Sequence, residues 1–286
     1  MKITRRQFLA GIGAVAAAAA SVPAYARYLE PRWLRVSRVT APFFSTPVQR
    51  PLRILHLSDF HYSRVIPLAF IERAIDMGIR KGPTCAVITG DLITHGIEDE
   101  AAYIRILSTL AEHTPTYAVL GNHDGGRWAR TRGGYPDTAR VRRLFQRSGI
   151  QLLHNESIAF EHEDRAIRVI GVGDLWAGEM DPEAAFRDVP SPDEQPRIVL
   201  AHNPDSKDAM GDRAWELMLS GHTHGGQVAL PFVGTPFAPV QDHRFVEGLN
   251  RWHDRWIHTT RGVGNLHGIR FNCRPEISVV DLVGAR

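Results

Sequence analysis

In Pro115-Thr116-Tyr117-Ala118-Val119-Leu120-Gly121-Asn122-His123-Asp124 the first six residues are a short apolar run bounded by proline and glycine, which reads as a buried strand. Its end delivers an amide oxygen, an imidazole and a carboxylate within three residues. Polar groups at the tip of a buried strand must find partners, so this is a poor ending for a purely structural strand. Alone it is weak, because Gly and Asn are ordinary turn residues. Working outward, four more apolar runs end the same way. Leu52 to Leu57 leads into Ser58-Asp59-Phe60-His61, and Cys85 to Thr89 into Gly90-Asp91. Arg197 to Ala201 leads into His202, and Leu217 to Ser220 into Gly221-His222-Thr223-His224.

The segments between the first three runs are helical in pattern. Pro67 to Lys81 spaces Ile71, Ala74, Ile75 and Gly78 on one face, and Glu98 to His113 does so with Ala101, Ile104, Leu107 and Ala111. Strand, acid and helix in repetition is the rhythm of an α/β fold, whose ligands bind at the carboxyl ends of strands. Further on, Ile150–Leu153, Ser157–Phe160, Ile167–Val172, Trp256–Thr259 and Ile277–Leu282 read as strands, and residues 27–50 as an approach segment with an edge strand. Gly125 to Arg147 holds seven arginines against one acid, Asp137. Its second half, with Val141, Leu144, Phe145 and Ser148 in step, reads as a helix with an arginine-rich outer face. That face is either simply solvated, or it belongs to a cap beside the site that holds an anionic substrate or lies against anionic lipid.

The chain opens with Thr4-Arg5-Arg6-Gln7-Phe8-Leu9, an uncharged run from Ala10 to Ser21, and Pro23-Ala24-Tyr25-Ala26. A basic start, an alanine-rich apolar run and an Ala-x-Ala site are the layout of an export signal, and the paired arginines resemble the twin-arginine type. The run is too short and too rich in alanine and glycine for a comfortable membrane span. We therefore expect residues 1–26 to be a signal cleaved after Ala26, with a retained anchor as the other outcome. The rest, 27–286, is expected to form the working domain. The net charge of +3 falls to zero without Lys2, Arg5 and Arg6, so the basic balance is no argument for nucleic acid. With only Cys85 and Cys273, the chain is not a disulfide scaffold.

Pairs such as Asp59/His61 and His222/His224 point to one place only if the backbone turns sharply, which Gly221, Gly225 and Gly226 permit. A mixture of imidazole, carboxylate and amide oxygen without thiolate suits Mn, Fe, Zn or Ni better than Ca or Mg. Taken together, D-x-H at 59–61, GD at 90–91, GNHD at 121–124, His202 and GHxH at 221–224 resemble the motifs of the calcineurin-like metallophosphoesterases, in order.

The resemblance implies a four-layer α/β/β/α sandwich with two divalent ions, Mn, Fe or Zn, between the sheets. It implies one ion held by Asp59, His61, Asp91 and His224, and another by Asp91, Asn122, His202 and His222. His123 is left to stabilise charge or protonate a leaving oxygen, and Asp124 is expected to orient its ring. Purple acid phosphatases carry tyrosine three residues after the bridging aspartate, where this chain has Thr94. The stretch from Gln227 through Arg261-Gly-Val-Gly264 to Glu276 resembles the YkuE/YaeI type of bacterial phosphodiesterase.

The implied activity is hydrolysis of a phosphodiester or phosphomonoester by a hydroxide bridging two metals, in the periplasm or on the outer face of the cytoplasmic membrane. The expected partners are a phosphoester substrate, the twin-arginine translocase and an anionic lipid surface reached through Arg127–Arg147. Two alternatives are a lipid-linked pyrophosphate hydrolase, acting on a substrate such as UDP-2,3-diacylglucosamine, and a metal-dependent scaffold that binds anionic lipid or polymer. His267 lies in the Gly264–Arg270 loop, where it either reaches the site or sits on the surface.

Overall fold

Along β2 (Leu52–Leu57) the side chains alternate. Leu52 and Ile54 enter an apolar layer shared with a second sheet, while Leu55 and Leu57 pack beneath helices. This division repeats through the computed structural model of the chain, which describes residues 4–6, 21–192 and 194–284. The first sheet runs β1 (Arg35–Phe44), β12 (Glu276–Gly284), β2, β3 (Cys85–Thr89), β4 (Thr116–Val119) and β5 (Gln151–Leu152). β2 to β5 are parallel, and β12 runs antiparallel to β2. The second sheet runs β10 (Gly248–Trp252), β11 (Arg255–Thr259), β9 (Leu217–Ser220), β8 (Arg197–Leu200), β7 (Arg165–Gly171) and β6 (Glu156–His162). In it β11, β9, β8 and β7 are parallel, with antiparallel strands at both edges.

The outer face of the first sheet is covered by α1 (Leu68–Ile79), α2 (Glu100–His113) and α4 (Ala139–Arg147). Ile71, Ala74, Ile75 and Gly78 form the buried stripe of α1. On α2 the expected face is rotated: Tyr103, Ile106, Leu107 and Leu110 are buried, and Ala101 is exposed. The Tyr103 hydroxyl decides this, because it donates to the Leu92 carbonyl at 2.9 Å and satisfies the ring inside the core. Asp99 caps the helix by accepting from Ala102 N–H. α4 packs on α2 through Val141, Leu144 and Phe145, so this half of the arginine-rich segment belongs to the helical layer rather than to a cap. Arg140 and Arg147 both face Glu100, at 3.3 and 3.5 Å.

The fourth layer is thin. Short α5 (Pro182–Ala185), α6 (Ser206–Ala209) and the turn His243–Phe245 cover Ile170, Val172, Val199 and Met218, with Trp215 and Met210 filling between. β1 takes the edge position expected from residues 27–50. Cys85 and Cys273 are buried free thiols.

The N-terminal segment is docked: Arg270 N–H donates to the Ala26 carbonyl at 2.9 Å, and buried Glu30 accepts from the amides of Asn272 and Cys273. Among the described residues no helix is long and apolar enough to cross a membrane. Most of the expected signal's apolar run, residues 7–20, lies outside the described residues.

Candidate metal centre

β2, β3 and β4 are neighbours in the first sheet, and β8 and β9 are neighbours in the second. Their carboxyl ends meet at one edge of the sandwich. β2 brings Asp59 and His61, β3 brings Asp91, β4 brings Asn122 and His123, β8 brings His202, and β9 brings His222 and His224. Single ligand atoms of Asp59, His61 and His224 lie within 4.8 Å of one another, as do those of Asp59, Asp91 and His202, and of His61, Asp91 and His123. All of these side chains are buried.

The sharp turns fall on the ligand residues themselves. Asp59, His61, Asp91, His222 and His224 have φ between 48 and 70°, a left-handed region where Asp and His are tolerated at some cost. Gly225 and Gly226 also have positive φ, but Gly221 does not. Gly221 serves close approach instead, since a Cβ there would run into Ser58 Oγ and the Asp59 carboxylate. Gly121 is pressed against Asp91 in the same manner.

Hydrogen bonds fix which ring nitrogens are bare. His202 Nδ1 donates to the Thr89 carbonyl at 2.7 Å, leaving Nε2 at 3.2 Å from Asp91 Oδ2 and 3.1 Å from His222 Nδ1. The Thr94 hydroxyl donates to the His61 carbonyl, so it can accept only from His61 Nδ1, and His61 Nε2 then faces His224 Nε2 at 3.1 Å. Asn122 Oδ1, His222 Nε2 and His224 Nδ1 have no hydrogen-bond partner although buried. Each facing pair can share one proton, which still leaves Asn122 Oδ1 and the outer nitrogens of His222 and His224 orphaned around two carboxylates, a costly arrangement as it stands. It fits a divalent metal centre, whose cations take lone pairs without needing a proton.

The electrostatics agree. Burial pushes the Asp59 carboxyl up, His61 down to about 3, and His222 and His224 well below the usual imidazole range. His202 loses solvation too, but the Asp91 carboxylate outweighs that loss and holds its ring well above the ordinary value. His61, His222 and His224, neutral beside an ionised Asp91, are in the form that ligates, whereas His202 holds its proton against Asp91 and must release it when a cation takes its place.

Asp124 does not orient His123. Its carboxylate accepts from the amides of Asp91, Leu92 and Gly121 at 2.7–2.9 Å, tying the tip of β4 to that of β3. The His123 ring is held instead by the Thr94 carbonyl, 3.1 Å from Nδ1, and Trp128 packs against it with ring centroids 4.6 Å apart. A carbonyl only accepts, so Nδ1 carries the proton and Nε2 is free. This partner has no sequence signature, because a backbone carbonyl carries no residue identity.

Asp174 was also missed. It follows β7 in Gly173-Asp174, repeating the strand–Gly–Asp pattern of Gly90-Asp91, and it is buried with Oδ2 unpartnered. Burial raises its carboxyl to about 6.

A cleft of about 830 Å³ opens over the cluster, walled by Trp128, Trp176, Phe237 and Leu266, with Arg132 and His267 also on its lining. The guanidinium of Arg132 lies 3.7 Å from the Trp128 ring centre. His267 thus reaches the cleft, and so does the first half of the arginine-rich segment, around α3 (Gly126–Arg130).

Residues 52–226 match the calcineurin-like phosphoesterase family. The chain is 42% identical to the phosphodiesterase YaeI of Escherichia coli, over 98% of this chain and all of that one. It is 32% identical to the uncharacterized metallophosphoesterase YkuE of Bacillus subtilis, over 98% of each chain. It is 26% identical to the UDP-2,3-diacylglucosamine pyrophosphatase LpxG of Chlamydia trachomatis, over 90% of this chain and 91% of that one. With its ligand-bearing strand ends inside the matched span, this chain belongs to the calcineurin-like phosphoesterases and is a metal-binding hydrolase of phosphoester bonds.

Proposed function

We propose that the chain hydrolyses a phosphodiester using two divalent ions. The observation that carries this is the convergence of Asp59, His61, Asp91, Asn122, His202, His222 and His224, from both sheets, on one buried cluster with bare nitrogens and orphaned oxygens. Asp59, His61, Asp91 and His224 would hold one ion, and Asp91, Asn122, His202 and His222 the other, each being Mn, Fe or Zn. Such ions, when bound, supply an acidified water and offset the charge of phosphoryl oxygens.

The chain's own groups do the rest. Thr94 fixes the His123 tautomer, so that Nε2 faces the cleft and can accept or give a proton at the leaving oxygen. Asp124 keeps the tips of β3 and β4 in register through three amides. Arg132, stacked on Trp128, offers the cleft a fixed positive charge for an anionic substrate.

The phosphodiesterase name of the Escherichia coli relative supports a diester. A second reading is a lipid-linked pyrophosphate such as UDP-2,3-diacylglucosamine. The apolar wall of Trp128, Trp176, Phe237 and Leu266 favours it, as does the name of the Chlamydia relative. In our reading the chain leaves the cytoplasm by the twin-arginine translocase, works in the periplasm or on the outer face of the membrane, and meets anionic lipid through Arg127, Arg130 and Arg132. Export of the folded chain would let a centre loaded with Mn or Fe in the cytoplasm persist where Zn and Cu compete.

The test is turnover of bis(p-nitrophenyl) phosphate, p-nitrophenyl phosphate and UDP-2,3-diacylglucosamine after reloading with Mn, Fe or Zn, beside Asp91→Ala. Metal-dependent diester turnover, lost in the variant, is expected. Turnover of the nucleotide lipid alone would select the second reading, and no turnover with any metal would sink both. Fractionation of cells that express Arg5→Lys/Arg6→Lys tests export, and an unchanged periplasmic yield would refute the twin-arginine route.

A further inference from the structure

We propose that the rim of the cleft is a docking surface for an anionic lipid bilayer, with the 227–240 loop as its inserting element. Phe232 stands fully exposed at the tip of this loop, Val233 beside it is 66% exposed, and Phe237 is 72% exposed on the way into the cleft. Exposed aromatic and branched side chains grouped in this way mark a contact surface rather than ordinary surface texture.

Backbone hydrogen bonds tie together three chain segments that carry such side chains. Val228 pairs with Phe271 in a parallel bridge, and Ala229 N–H donates to the Phe271 carbonyl at 2.8 Å. One residue earlier, Arg270 N–H donates to the Ala26 carbonyl, which brings in the segment 21–33 with exposed Leu29 and Trp33. Ile269, also exposed, lies between the two and lines the cleft. Most of the large exposed apolar side chains among the described residues fall on these segments.

The charge on the same segments selects the partner. Residues 227–240 carry no charge at all. Segments 21–33 and 265–274 carry Arg27, Arg32 and Arg274 outside the core against a single acid, Glu30, while Arg270 is buried with its guanidinium on internal carbonyls. Glu30 is buried with its carboxylate on the amides of Asn272 and Cys273, so it presents no negative charge outward. An apolar tip flanked by arginines and free of exposed acid is the composition that enters the headgroup layer of anionic lipid. Docked so, the cleft mouth at Phe237 and Ile269 would open toward headgroup phosphates.

Docking does not rest on the catalytic reading, and its test is independent of turnover. The native thiols are buried, so the full chain with Val233→Cys takes an environment-sensitive fluorophore at the tip. Asp254→Cys serves as control. Asp254 precedes β11, which runs parallel to β9, so it lies at the end of the sheet away from the ligands. With vesicles of phosphatidylglycerol and phosphatidylcholine, the label at 233 should shift to the blue and be quenched by a bilayer-buried quencher. The label at 254 should do neither, and vesicles of phosphatidylcholine alone should give a weaker response at 233. Adding Phe232→Ser should weaken partition of the 233-labelled chain about tenfold. Equal responses at 233 and 254, none at 233, or no effect of Phe232→Ser would overturn the proposal. A shift at 233 that needs no vesicles and grows with protein concentration would give the rim to a second copy of the chain instead. Hydrolysis of a soluble diester by the same labelled protein reports on the catalytic reading alone.

Discussion

His123 and Asp124 are adjacent in sequence and do unrelated work. His123 holds a free Nε2 over the cleft, so His123→Ala should lower kcat about 10²–10⁴-fold while metal content, read by elemental analysis, stays near wild type. Asp124 is a fastener for three amides. Asp124→Ala should therefore reduce both metal content and thermal stability, a pairing that a purely catalytic role would not produce. Asp174 makes a pH prediction. Its folded-state carboxyl titrates at about 6 against an ordinary 3.8, because burial disfavours the charge. The folded chain thus binds the extra proton, and stability falls as pH rises through the window from about 4 to about 6. Asp174→Asn keeps the oxygen that accepts from Ala177 N–H, so it should flatten that fall in denaturation curves of metal-free protein. An unchanged slope would show that the carboxyl is not protonated there.

At the scale of elements, the strand ends were legible because each declares itself twice, by an apolar run and by the polar residue that stops it. α2 was legible as a helix but not in its rotation, since periodicity weighs Ala101 and Ile104 like any apolar residue. It cannot know that Tyr103 has a carbonyl waiting in the core. Tyr103→Phe should cost about 1 kcal/mol in denaturant unfolding. The thin outer layer was illegible for a different reason: helices as short as Pro182–Ala185 and Ser206–Ala209 complete too few turns to show a period. The reason for Gly221 was hidden as well, because close approach between β9 and β2 is a relation across 163 residues and leaves no local trace. Gly221→Ala should displace Asp59 and abolish metal uptake. Gly82→Ala, where a Cβ meets nothing, should leave uptake unchanged and cost only the strain of its positive φ.

For the molecule as a whole, the two sheets are joined at the ligand end by groups that repel or stand idle without a cation. Removing metal with a chelator should therefore lower the melting temperature, and restoring it at a hundred times Kd should return about 2.7 kcal/mol. A melting curve indifferent to chelation would mean that the cluster holds no ion. The N-terminal segment has a consequence of its own. The Ala26–Arg27 peptide, the expected processing bond, is clasped in the folded chain: Ala26 is buried with its carbonyl on Arg270, Arg27 reaches the Gly268 carbonyl at 2.8 Å, and the backbone is coiled through Tyr25–Leu29. A peptidase needs its substrate drawn out and reachable from both sides. A chain delivered already folded would thus be trimmed only as often as these few residues peel away, and the tempo of maturation would be set by a local latch rather than by the quality of the cleavage motif.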